Sequence, residues 1–488
     1  MKKIIAFLLV ALSLTSCLND FLDVKPESET YSGKFWKTEN QARVALTTVY
    51  ADMQNNFKAI NYINWFELRS DNFYGNPVGG TYPFNLININ SLSPTHPSAD
   101  WNGWYKSIST TNYAIHYIPG MSNISDLKRN NLLAEAYFLR AYCYFNLIRI
   151  WGNVPLIVKP TLTFDDVVKP FRDSSQVVMD SVILKDLNFA VNNVDETQKD
   201  VFRFSAGPLY ALATDVAMWN HDYAKAVYYS KKLLDLKDAG VTRYTLVSGG
   251  DFNKVCSSAI TDENIWTLKW SYLNNGYNPI TQYLSFMYVL VSKLVKDNWA
   301  TPDWNKDLRR YQTIDTTIVY GGNHLSNPSP NAAMWKYEPV KRLVLGLNEK
   351  FIPLYRLADI ILLRAEALNQ LGLKTEALLE LNKIRTRAGL ISKTLTDKDI
   401  VSAPNITYGL ESAILQERQF ELLGEGKRWF DLLRTGRAKE VMNYHFDNYL
   451  NLYGVTNYNK FTDNWQLYWP VYQDNIIENE NLTQTGLY

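Results

Sequence analysis

Three features of the chain predict a mostly α-helical protein, in which paired helices form a scaffold and one loop-rich half binds ligand. Residues 132–150 are apolar or aromatic at nearly every position, with Glu135, Arg140, Asn146 and Arg149 the main exceptions. Residues 209–236 and 355–388 each read as two helices joined by a short turn. Between them, residues 251–347 carry Trp266, Trp270, Tyr272, Tyr277, Trp299, Trp304, Trp335 and Tyr337 among turn formers such as Gly321-Gly322 and Pro328-Ser329-Pro330.

Taken along the chain, the helical signal starts at residues 41–57. There Val44, Leu46, Val49, Tyr50 and Met53 are spaced to lie on one helical face. Residues 70–100 hold Gly75, Pro77, Gly79, Gly80, Pro83, Pro94 and Pro97, which break helices and predict loop. The helix over 132–150 is apolar on most sides, so other helices must cover it on most sides. Trp151-Gly152-Asn153-Val154-Pro155 stops it with a glycine cap followed by proline. In the hairpins, Thr214 precedes Ala226, and Ala365 precedes Ala377, by the same interval. That spacing resembles tetratricopeptide repeats, where small residues let paired helices approach closely. The aromatic stretch 251–347 differs in kind, and long loops on a rigid scaffold are where binding sites concentrate.

Composition narrows the function. The 488 residues are 46% hydrophobic and 20% charged, which suits a large packed core. The formal charge is +1, so no general field attracts nucleic acid, and a nucleic-acid partner is not expected. Lys2 and Lys3, an apolar run from Ile4 and the segment Leu14-Thr15-Ser16-Cys17 make a secretory signal. The run falls short of the roughly 20 residues that span a bilayer. Leu-Thr-Ser-Cys resembles the bacterial lipobox, in which the cysteine is acylated and becomes the mature N-terminus. Cys17 is thus the expected lipidation site, and lipid the only expected membrane anchor. Cys143 lies in an apolar run where a buried free thiol is usual, and the sequence leaves its pairing with Cys256 open.

Three stretches then carry a specific resemblance. The first is Ala134-Glu135-Ala136-Tyr137-Phe138-Leu139-Arg140-Ala141-Tyr142, running on to Trp151-Gly152-Asn153-Val154-Pro155-Leu156. The second is Tyr355-Arg356-Leu357-Ala358-Asp359-Ile360, with Ala365-Glu366-Ala367-Leu368-Asn369 and Leu381-Asn382-Lys383-Ile384-Arg385. The third is Glu417-Arg418-Gln419-Phe420-Glu421-Leu422, then Glu425-Gly426-Lys427-Arg428-Trp429-Phe430-Asp431-Leu432. Together with the lipobox, and in this order, they resemble the SusD/RagB family of outer-membrane nutrient-uptake lipoproteins. The family's proline-isoleucine-proline turn and its asparagine-proline-glycine-tyrosine tail are replaced here by Trp469-Pro470-Val471-Tyr472 and Thr485-Gly486-Leu487-Tyr488. The resemblance implies a SusD-like helical fold, no catalysis and no cofactor. It also implies a SusC-like TonB-dependent transporter as partner, and a lipid-anchored place on the outer membrane, facing the cell surface. The organisation expected is a signal peptide over 1–16, a lipidated leader over 17–40, and an N-terminal region over 41–240. A C-terminal region over 241–488 packs with it as one unit.

Glu417, Glu421, Glu425, Arg428 and Asp431 contain the makings of an acid and a base. Their interleaving with Phe420, Trp429 and Phe430 favours ion pairs that let the helices pack, since buried charges must be paired. The five histidines show no metal-ligand spacing, and no nucleophile elbow or phosphate loop is present. With 14 Trp, 32 Tyr and 21 Phe, the expected site is aromatic: rings take the CH faces of sugars while polar side chains pair with hydroxyls. Asp71, Asn72, Tyr74, Trp270, Tyr272, Tyr277, Trp299, Trp304 and Trp335 are the expected ligand contacts, and an oligosaccharide is the expected ligand. A peptide, as in RagB-like uptake, would use the same rings, and a helical scaffold without a ligand is the competing class. Trp101, Tyr105 and Asn112 fall where the family keeps a packing signature, so Trp101 is read as structural.

Overall fold

A computed structural model describes residues 35–488, except 59, 76–83, 258, 277, 279–288, 302, 316–318, 321–322, 325–332, 335, 338–349, 398–399, 401–408 and 451–454. Cys17, Tyr277 and Trp335 therefore lie outside the described residues.

The first helix, α1 (Glu39–Phe57), starts where Thr38 accepts from the Gln41 N–H and Gln41 reciprocates, a capping box. Leu46, Val49, Tyr50 and Met53 are buried on its inner face, with Ala42 and Phe57. Val44 departs from the expected stripe: it is 51% exposed. Its position falls between the i, i+3, i+4 rows that face the core, so it turns to solvent. Next come α2 (Asn102–Tyr117) and α3 (Asp126–Trp151). From Leu132 to the end of α3 every residue except Tyr137 is buried. Gly152 ends the helix at φ 72°, a conformation that a Cβ disfavours. Helix α4 (Leu184–Asn193) packs back on α3.

Both expected hairpins form. The first is α5 (Ala206–Trp219) with α6 (Tyr223–Leu234), and the second is α7 (Leu357–Gln370) with α8 (Lys374–Arg387). Thr214, Ala226, Ala365 and Ala377 are fully buried, and α6 packs against α7, so the two hairpins stack. Tyr355 and Arg356, expected to open the second hairpin, belong instead to a strand. Here β1 (Phe73–Gly75) pairs with β3 (Val289–Val291), and β2 (Asn264–Leu268) with β4 (Ile352–Arg356), both antiparallel. Pairing of β2 and β4 buries Ile352, Leu354 and Tyr355, which outweighs local helical preference.

The third motif forms α9 (Leu410–Glu421), a turn, and α10 (Arg428–Arg434). The altered tail still docks. The Trp469 N–H donates to the Ile150 carbonyl at 2.8 Å, and Arg172 donates to the Thr483 carbonyl at 2.9 Å. Cys143 and Cys256 are buried free thiols. One hydrophobic core runs from Ala42 to Leu482 across both sequence regions. No helix among the described residues is long and apolar enough to cross a membrane.

Candidate functional site

Glu417 and Glu421 stand one turn apart on α9, so both carboxylates leave the same face. Arg309 meets both, at 2.8 Å and 2.6 Å, and also pairs with Asp307 at 2.7 Å. Arg356, the last residue of β4, reaches Glu425 at 2.7 Å and Glu263 at 2.6 Å, and pairs with Glu421. Lys336 joins Glu425, and Arg387 joins Glu421. Burial would raise the Glu421 carboxyl, but the guanidinium groups of Arg387, Arg356 and Arg309 hold it well below the ordinary range. On the opposite side, Arg418 pairs with Asp359 at 2.9 Å and with Asp431 at 2.8 Å. Burial would raise Asp359 too, yet Lys427 and Arg418 bring it down to about 2.

Glu417, Glu421, Glu425 and Asp431 are therefore all ion-paired, as are Arg418 and Lys427 of the same motif. Such a lattice holds elements together: removing one partner of a buried pair leaves an uncompensated charge. The sequence marked out Glu417, Glu421 and Glu425 but not their partners Arg309 and Lys336, nor Glu263 and Asp307, which share the cations of the lattice. The sequence Asp307-Leu308-Arg309, two opposite charges amid aromatic loops, was the available signal.

Of the expected ligand contacts, Asp71, Asn72, Trp299 and Trp304 come together beside this lattice from distant parts of the chain. Asp71 takes a two-pronged contact from Arg428, at 2.8 Å and 2.9 Å. Burial would raise its carboxyl, and Arg428 holds it below the usual value. Asn72 accepts from Gln419 at 2.9 Å, and Tyr74 is buried in β1 opposite Leu290. Trp299 lies flat on Phe420 with ring centres 4.7 Å apart, and its indole N–H donates to Asp307 at 2.9 Å. The Trp270 N–H donates to the Gly276 carbonyl at 2.9 Å. Asp71, Asn72, Tyr74, Trp270 and Trp299 are thus interior residues and offer no surface to a ligand in this arrangement. The physical reason is general: an aromatic ring beside a helical scaffold gains more from burial than from display. Tyr272 opens a short helix, Tyr272–Asn275. Trp101 and Trp104 are also buried, and Trp101 packs edge-on to Trp151 at 6.0 Å, in line with its structural reading.

Trp304 is different. It is half-buried, edge-on to Phe420 at 4.5 Å, with the Arg385 guanidinium 5.0 Å from its ring centre. Asp303 and Lys306, its sequence neighbours, line a cleft of about 480 Å³ with Arg385, Ser392, Lys393 and Asp397. This is a ligand-sized opening rimmed by groups that hydrogen-bond hydroxyls. Another cavity, between Tyr62, Arg149, Tyr355 and Lys427, measures about 30 Å³ and has room for a water, not a sugar.

The fold and the buried lattice define a mostly helical scaffold of stacked hairpins held together by ion pairs. Residues 331–488 match the SusD family, and residues 20–218 match the family described as starch-binding, associating with outer membrane. A SusD-like protein of Formosa agariphila is 30% identical, with 99% of this chain and 98% of the relative aligned. A SusD-like protein of Bacteroides ovatus is 24% identical, with 92% and 85% aligned. Among solved structures, a SusD superfamily protein of Bacteroides vulgatus gives a TM-score of 0.76 at 20% identity, covering 93% of this chain and 99% of that one. NanU of B. fragilis gives 0.71 at 20% identity, covering 96% and 99%. The chain belongs to the SusD family, whose members are binding proteins, and the family is associated with the outer membrane.

Proposed function

We propose that this chain is a lipoprotein of the outer membrane, acylated at Cys17 and facing the cell surface, that captures an oligosaccharide by binding alone. It hands the ligand to a SusC-like TonB-dependent transporter for import. The observation that carries this reading is similarity to SusD-like relatives over nearly the whole chain. It is supported by the lipobox-like Leu14-Thr15-Ser16-Cys17 and by the half-buried Trp304 beside a polar cleft. Ion pairing of the third-motif carboxylates supports capture over catalysis, because an acid and a base must be free to exchange protons. Affinity is modest, since a few stacked rings in a wet site leave little net energy after the ligand is ordered.

Calorimetry of the purified chain against a panel of oligosaccharides and peptides tests the reading. Saturable binding of a glycan class is the expected result. Binding of peptides alone would move the ligand to the RagB-like class, and silence from both panels would leave the scaffold reading standing.

A further inference from the structure

Residues 156–172 form a surface loop whose ends meet where Pro155 pairs with Arg172. Its apolar side chains point outward: Phe164 is 89% exposed, Phe171 69%, Val167 64% and Val168 61%. Flexibility does not explain this, because the loop backbone is tied down from several directions. Asn112 donates to the Ile157 carbonyl at 3.0 Å, and the Tyr113 hydroxyl donates to that of Thr161. Asn481 and Asn479 donate to the carbonyls of Lys169 and Pro170, at 2.7 Å and 2.9 Å. Inside the loop, the Asp166 carboxylate accepts from the Leu162 and Thr163 N–H groups at 3.0 Å and 2.8 Å. The fold thus holds a preformed apolar patch in water, an arrangement that marks an interaction surface.

Its position relative to the chain's entry narrows the partner. Trp36 stacks on Tyr117 with ring centres 5.6 Å apart, and Tyr117 stacks on Tyr113 at 6.4 Å, the residue that holds Thr161. The leader therefore joins the body beside the patch. If Cys17 carries lipid, as the proposed function holds, the leader to Phe35 spans at most roughly 60 Å. The patch, at the point where the leader enters the body, then lies within that reach of the membrane. Chemistry separates a bilayer from a protein there. Asp165 and Asp166 directly follow Phe164, so inserting this loop among lipids would carry two carboxylates towards hydrocarbon. An apolar centre with Asp165, Lys159 and Lys169 around it has the make-up of a protein–protein interface.

We propose that Phe164, Val167, Val168 and Phe171 dock on the extracellular protein rim of the transporter that this chain serves. The inference rests on the capture-and-transfer reading above. To test it, the full-length lipidated chain is co-expressed with a SusC-like transporter from the same genome and purified in detergent through a tag on the transporter. Wild type is expected to be retained, and the Phe164→Asp/Phe171→Asp variant to be retained at less than a tenth of that level, with unchanged melting and acylation. Val167→Glu, a single change on the same loop, gives the same loss should the double variant fail to fold. Full retention of either folded variant overturns the surface and leaves the capture reading intact. So does loss of binding only to phosphatidylethanolamine–phosphatidylglycerol vesicles, which would make the patch a lipid contact. If wild type itself is not retained, the docking proposal and the transfer reading fall together.

Discussion

The two guanidinium nitrogens of Arg428 hold the two carboxylate oxygens of Asp71 at 2.8 Å and 2.9 Å, joining the first loop region to the start of α10. Asp71 is buried, the Arg428 side chain is nearly so, and most of the sequence separates them. Asp71→Leu strands the guanidinium and is expected to destabilise the fold by about 3–5 kcal/mol in urea denaturation. Adding Arg428→Met removes the stranded charge and should restore most of that loss, because replacing both partners of a buried pair is often neutral. A double-mutant cycle measures this. If Asp71 were instead a direct ligand contact, the single variant would lose affinity without losing stability.

Glu67 supplies a pH dependence. Burial, and then the nearby charge of Glu425, push its carboxyl up to about 8 against the donated N–H of Gly426, from an ordinary value of 4.5. The folded protein therefore keeps a proton that the unfolded chain releases above the ordinary value. The resulting stability is fully present at low pH and is lost as pH rises through about 8. Glu67→Gln is neutral at every pH, keeps an acceptor for Gly426, and is expected to be more stable than wild type by about 3 kcal/mol at neutral pH. The gap should close towards pH 4.5. Melting curves of both proteins across that range check the sign.

Gly152 links the long helix to the tail. At φ 72° it occupies backbone space that L side chains rarely adopt, and a Cβ there would meet the Tyr468 ring at 3.3 Å. Gly152→Ala should cost about 1–2 kcal/mol. Because Trp469 hydrogen-bonds Ile150 beside it, amide exchange should quicken first around residues 465–472. Exchange that quickened only within α3 would show that the tail docks independently.

The helices were legible because their signals are local: a near-continuous apolar run, a capping residue, a glycine stop. The same holds for the hairpins, where Thr214, Ala226, Ala365 and Ala377 are buried as their spacing implies. Ion pairing of the third motif was legible from its interleaved charges and rings, but the partners were not. Arg309 and Glu421 are paired across 112 positions, and no local pattern records such a contact. Exposure was the least legible property. Trp299 and Trp304 sit in one loop segment with similar neighbours, and only the position of Phe420 beneath them decides which is covered. The apolar loop around Phe164 has neither helical nor strand period, so its outward display has no signature in sequence.

That difference between Trp299 and Trp304 is itself a test. Trp299 is fully buried, flat on Phe420 and hydrogen-bonded to Asp307, so Trp299→Ala opens a large cavity and removes one of the hydrogen bonds to that carboxylate. The expected cost is about 3–5 kcal/mol of stability, and the protein that remains folded should bind ligand nearly as before. Trp304 touches the same Phe420 only edge-on and keeps part of its ring in solvent, next to the cleft at Asp303 and Lys306. Trp304→Ala should cost about 1 kcal/mol or less of stability, as for a half-exposed ring. It should weaken binding of the glycan found by calorimetry at least tenfold, or about 1.4 kcal/mol. Urea denaturation and titration of both variants separate the two effects. The reverse pattern, with affinity lost at Trp299 and kept at Trp304, would move the ligand off this cleft and place the buried residues at the binding surface.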